Sequence, residues 1–150
     1  MGQSLVRNYV HLVFSTKHRQ PYIQAPFEDT LHQYLGGTLN RMGCQTIIVG
    51  GYTDHVHILF LLPATKALMK VLEELKANSS KWMKTQDESL ENFYWQDGYG
   101  AFSVNPSEVE VVVGYIKNQH EHHRKKTFQD EYRSILKKYK VAYNEKYIWQ

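Results

Sequence analysis

Hydrophobic positions fall into short unbroken runs at some places in the chain and into helical spacing at others. Residues 55–62, HVHILFLL, form the densest run, and Pro63 ends it. Its length and composition predict a buried strand. Residues 5–15, LVRNYVHLVFS, and 44–53, CQTIIVGGYT, also read as strands. FYWQDGYGAFSV (93–104) reads as a hairpin or bent strand around Asp97-Gly98. Residues 26–42 open on Pro26 and two acids, with Phe27, Leu31, Tyr34, Leu35 and Leu39 at helical spacing. Gly36-Gly37 weakens that helix by about 1 kcal/mol per glycine unless the pair marks close packing. Residues 65–84 predict an amphipathic helix with Leu68, Val71, Leu72, Leu75 and Trp82 on its apolar side.

Asn105 or Ser107 can cap a further helix over 105–126, with Pro106 in its first turn and Glu108 and Glu110 at its positive end. Val111–Val113 pull that segment toward strand, but the caps and the polar period that follows favour helix. A last helix is expected over 127–140, before the tail VAYNEKYIWQ. The order β α β β α β α α predicts an α+β fold, an antiparallel sheet with helices packed on it, compatible with a ferredoxin-like split βαβ. No repeat or linker divides the 150 residues, so one domain, 1–150, is expected.

Composition narrows the chemistry. Cys44 is the single cysteine, which excludes a disulfide framework and a Cys-based zinc site. No apolar stretch reaches membrane-spanning length, and the first residues lack a signal-peptide pattern, so a soluble cytoplasmic protein without a membrane partner is expected. Net charge is +3, unevenly spread. Residues 1–27 carry three basic side chains and no acid, and 114–150 carry nine against four. The middle, 28–113, carries six against eleven. Basic ends of this kind suit a polyanionic partner, though solvated surface gives the same pattern.

His55 and His57 interrupt the start of the densest apolar run, and Asp54 precedes them. On a strand, residues i and i+2 point to one face, so the two imidazoles stand about 6.5–7 Å apart at their bases and can converge on one ion. Ile58, Phe60 and Leu62 fill the other face, while Leu59 and Leu61 continue the histidines' own. Unpartnered polar groups there would be costly. A second such pair, His120 and His122, lies in a helical segment, where its members diverge by about 200° and cannot share an ion.

Two histidines rarely complete a site. Tyr115 and Gln119, four apart on the 105–126 helix, share a face, and His122 and His123 lie near it. In a chain with eleven tyrosines, Tyr115 could equally be an ordinary amphipathic residue.

DHVHILF (54–60) followed by VVVGYIKNQHEHHRKKTFQDEY (111–132) resembles the HUH-type single-tyrosine transposases of the insertion-sequence group numbered two hundred and six hundred and five. YVHLVFSTKHRQP (9–21) and WQDGYGAFSV (95–104) extend the resemblance over nearly the whole chain. It implies that His55 and His57 bind a divalent cation, Mg2+ or Mn2+, with Gln119 as third protein ligand. It also implies that Tyr115 is the nucleophile, attacking single-stranded DNA to give a 5′-phosphotyrosine and a free 3′-OH that is later rejoined. The expected partners are hairpin-bearing single-stranded DNA and a second copy of the chain, with sites shared between the subunits of a homodimer.

The residue chemistry agrees. A tyrosine of pKa about 10 needs help to attack at neutral pH. A cation held by neutral imidazoles and an amide keeps its charge for the phosphate. Imidazole ligands alone would lean toward zinc or manganese. The basic stretch STKHRQPY (15–22), with Lys17, His18 and Arg19, suits contact with a single strand. Lys76, Lys81, Lys84, Arg124, Lys125 and Lys126 are further candidates for DNA contact. Two other readings compete: a domesticated or inactive hairpin-binding protein of the same fold, and a metal hydrolase that uses water in place of Tyr115.

Overall fold

The computed structural model describes residues 2–150. Four strands, β1 (Asn8–Ser15), β2 (Gln45–Tyr52), β3 (His55–Leu62) and β4 (Gly100–Val104), form one antiparallel sheet in the order β2-β3-β1-β4. Helices α1 (Ala25–Arg41) and α2 (Leu68–Lys84) occur between strands. Helices α3 (Val109–Lys117), α4 (Gln119–His122) and α5 (Phe128–Lys138) follow the last one. This is the expected α+β, ferredoxin-like arrangement.

Strand alternation sorts side chains onto two covered faces. Val10, Leu12 and Phe14 of β1 and Val56, Ile58 and Phe60 of β3 pack against Leu31, Leu35 and Leu39 of α1 and Val71, Leu72 and Leu75 of α2. A fully buried side chain of this size contributes roughly 1.5–3 kcal/mol. The opposite face carries His11 and Val13 of β1, His55, His57 and Leu59 of β3, and Phe102 of β4. Ile116 of α3 and Phe128, Tyr132 and Leu136 of α5 cover it.

Two glycines let these helices approach. A Cβ on Gly50, which pairs with His57 across the ladder, would lie 2.6 Å from the Ile116 carbonyl oxygen. A Cβ on Gly100 would lie 2.7 Å from the Tyr132 hydroxyl oxygen. Glycine inside a strand marks such close approach. The Gly36-Gly37 pair leaves α1 unbroken, and the Thr46 hydroxyl donates to the Gly36 carbonyl at 3.1 Å.

Three expected elements differ from those observed. The first strand begins at Asn8, not residue 5. In 93–104 only Gly100–Val104 is a strand, preceded by a single bridge from Trp95 to Thr16. The Lys76 ammonium donates to the carbonyls of Gln96, Asp97 and Gly98 at 2.8, 3.2 and 2.7 Å, so those groups bond to a side chain and not to a partner strand. The helix expected over 105–126 is broken. Asn105 caps a short 3₁₀ turn by accepting from the Ser107 N–H at 3.0 Å, and α3 ends before Asn118, whose ψ is 17°. Asn readily leaves helical geometry. The break turns Gln119 inward, where it is buried. The C-terminal tail packs, with Ile148 and Trp149 against the α5 cluster.

Candidate metal and tyrosine site

The strand period sets His55 and His57 side by side, ring centroids 5.1 Å apart and both fully buried. Each has its Nδ1 engaged behind it. The β2–β3 turn places Asp54 Oδ1 2.7 Å from His55 Nδ1, and His11 Nε2 on β1 lies 2.8 Å from His57 Nδ1. The Nε2 atoms therefore face α5, which presents Glu131. Glu131 Oε1 lies 3.0 Å from His57 Nε2 and 3.4 Å from His55 Nε2. Gln119 Oε1 is 2.9 Å from His55 Nε2, and the Gln119 amide donates to Glu131 Oε2 at 2.9 Å. The Tyr115 hydroxyl donates to the same Glu131 Oε2. His55, His57, Tyr115 and Gln119 thus meet, with Glu131 between them.

Burial and pairing oppose each other here. Burial would raise the Glu131 pKa, but hydrogen bonds from His123, His55 and His57 outweigh it and hold the carboxyl far below its usual range. Burial lowers His55, yet hydrogen bonds to Asp54 and Glu131 overcome it and lift the imidazole to about 9. Burial pushes His57 down, and it takes His11 down to about 3. Burial and the neighbouring Glu131 charge raise Tyr115, so at rest it is a neutral hydroxyl.

The donor set fits a divalent cation. His55, His57 and Glu131 each offer one atom, all within 4.8 Å of one another and all buried. An anchored Nδ1 behind each inward Nε2 is the arrangement metal-binding histidines adopt. Imidazole with carboxylate suits ions such as Mn2+ or Zn2+. His120 and His122 diverge as expected: His120 is exposed and bonds Glu28 Oε1 at 2.7 Å, while His122 turns toward Glu131.

A profile of the family described as "Transposase IS200 like" matches residues 4–119. The chain belongs to the IS200-like transposase family. Its fold is similar to that of a putative transposase from Deinococcus radiodurans R1, with TM-score 0.63 and 20% identity over 79% of this chain and 96% of that one. It is also similar to a REP-associated tyrosine transposase bound to a REP hairpin, with TM-score 0.61 and 13% identity over 82% of this chain and 73% of that one. A search of curated proteins gave no match.

In this IS200-like transposase the cationic candidates for DNA contact are differently placed. Lys17 lies 3.7 Å from Asp97, and His18 and Arg19 both have φ of 56°, a left-handed conformation that non-glycine residues rarely hold. The Arg19 guanidinium stacks 5.5 Å from the Trp149 ring. Burial in its ring of carbonyls brings the Lys76 pKa down to about 8. Lys84 donates to Ser80 Oγ and the Phe93 carbonyl and lies 3.9 Å from the Tyr94 ring centroid. Lys81 is exposed, and Arg124 pairs with Glu121 at 3.0 Å. Lys125 and Lys126 line a concavity of about 460 Å³ with Tyr52, Asp54 and His123, on the α4–α5 side of the histidines. Among the described residues no helix is long and apolar enough to cross a membrane.

Sequence reasoning did not reach Glu131, the hub of the site. Its signal was present: Phe128, Tyr132, Ile135 and Leu136 make the apolar stripe of α5, and Glu131 is a charge set on that stripe. His11 had a similar signal, a polar residue inside the apolar run of β1.

Proposed function

We propose that this transposase cleaves and rejoins single-stranded DNA through a covalent tyrosine link, with Tyr115 as nucleophile. The observation that carries this reading is that the Tyr115 hydroxyl and the paired imidazoles of His55 and His57 converge on one buried carboxylate, Glu131. His55, His57 and Glu131, with Gln119 beside them, would hold a divalent cation, Mg2+ or Mn2+. When bound, it would neutralise the scissile phosphate and stabilise the leaving 3′-oxygen.

Tyr115 Oη would attack phosphorus. The new O–P bond forms as the P–O3′ bond breaks, the phenolic proton is released to solvent water, and the departing 3′-oxygen takes a proton back from solvent water, so no net proton is gained or lost. The phosphodiester is exchanged, not hydrolysed, so a 3′-OH can later attack the adduct and rejoin DNA without ATP. Lys125 and Lys126, beside the histidines, suit the phosphates of the strand, and a hairpin-bearing single strand is the substrate this reading takes. The test is a denaturing gel of labelled single-stranded hairpin DNA incubated with the protein and Mn2+ or Mg2+. A covalent protein–DNA band that vanishes in Tyr115→Phe is expected. Cleavage that persists in Tyr115→Phe would instead indicate a water nucleophile.

A further inference from the structure

The histidine pair of β3 has a third imidazole beside it, one whose donor atom also lies within 4.8 Å of those of His122 and Glu131. His123 follows α4, and only 3% of its side chain is exposed. Its Nδ1 lies 2.7 Å from the Lys126 carbonyl oxygen. A carbonyl can only accept, so that contact puts a proton on Nδ1 and leaves Nε2 as the nitrogen turned inward. Nε2 points at the same oxygens that face His55 and His57: it is 2.9 Å from Gln119 Oε1 and 3.2 Å from Glu131 Oε1. The His123 and His55 ring centroids are 4.5 Å apart.

An aromatic ring also stacks on two of the three imidazoles. Tyr52 stacks on His123 at 5.4 Å, and Phe128 stacks on His55 at 4.5 Å. An anchored Nδ1, an inward Nε2 and a braced ring are the features that prepare an imidazole for a metal. A histidine serving only to fill space has no need of all three. His57, in turn, is held through His11.

We propose that His123 is a direct ligand of the cation held by His55 and His57, so that three imidazoles and the Glu131 carboxylate make a nitrogen-rich site. This rests on the metal-dependent reading above and sharpens it. Three imidazoles with one carboxylate favour Mn2+ or Zn2+ over Mg2+, which prefers oxygen donors and retains water. The same ligation ties the chain just after Tyr115 and Gln119 to β3, so loading the site would also fix the corner between α4 and α5.

The experiment is Mn2+ binding to the whole chain, followed by calorimetry and by pulsed electron paramagnetic resonance, which counts nitrogens bound to the ion. Wild type is expected to show three imidazole nitrogens. His123→Ala is expected to show two and to bind about tenfold or more weakly. His120→Ala, at the exposed histidine paired with Glu28, is expected to leave both readings unchanged. Metal-free melting curves check that the variants fold, and His123→Gln serves if the alanine variant does not. The wild-type nitrogen count decides without any variant. Two imidazoles in wild type would overturn the role of His123 and leave the metal reading standing. No Mn2+ binding by wild type would overturn both.

Discussion

Alternate residues of a single strand, β3, make the two faces of the sheet, and those faces work by different physics. Val56, Ile58 and Phe60 are buried among apolar side chains of α1 and α2. His55 and His57 are buried as completely, but against groups that must each find a partner. The first face gains from dispersion and from removing carbon from water, and its members act nearly independently. The second is a polar network, stabilising only while every member is satisfied. Both faces help hold the molecule together, and the second also carries the chemistry.

Breaking each face separately should give opposite results. The largest effect is expected from Tyr115→Phe, which removes one oxygen and should reduce covalent DNA capture on a denaturing gel to background while leaving the melting temperature nearly unchanged. Phe60→Ala on the other face should cost about 3–5 kcal/mol in denaturant unfolding. The molecules that remain folded should still capture DNA, because Phe60 touches nothing in the site. Gly50→Ala tests the seam between the two behaviours. Its methyl would meet the Ile116 carbonyl, so a loss of about 1–3 kcal/mol is expected, together with weaker capture as α3 shifts and carries Tyr115 with it.

A pH series sharpens the same contrast in metal-free protein. His55 is lifted to about 9 by Asp54 and Glu131 against the burial that opposes them, so its contribution is fully present below pH 6.5 and is lost as pH rises through about 9. His11 and His57 are pushed down by burial, His11 to about 3. The unfolded chain binds protons there that the folded chain does not, so stability also falls as pH drops below 6.5. The melting temperature should therefore peak near pH 6.5. Substitutions at Phe60 should lower the whole curve without moving the peak, whereas Asp54→Asn should flatten its alkaline side. The smallest effect is expected at Lys81, exposed on α2, where alanine should change unfolding free energy by no more than about 0.5 kcal/mol.

The sequence made the apolar face and half of the site legible for one reason, periodicity. The period of two in HVHILFLL aligned His55 with His57, and helical spacing placed Tyr115 and Gln119 four apart. The route by which Gln119 reaches His55 was not legible, because Asn readily leaves helical geometry but its presence alone does not say that a helix breaks there. Glu131 escaped for a related reason. A charge on an apolar stripe signals a buried partner but does not name it, and the histidine partners on β3 lie more than seventy residues away. The caps behaved locally, and Asn105 closes its turn as its side chain allows. Lys76 and Lys84 read as candidates for DNA contact, but their ammonium groups bond backbone carbonyls that only the folded chain brings near.

The central claim is that Tyr115 carries DNA. After incubation with single-stranded hairpin DNA and Mn2+, the protein can be digested with nuclease and protease and its peptides sequenced by mass spectrometry. A nucleotide 5′-phosphate linked to Tyr115, absent when His57→Ala is used, is the expected result. A linkage at any other residue, or cleaved DNA with no linked peptide at all, would contradict it.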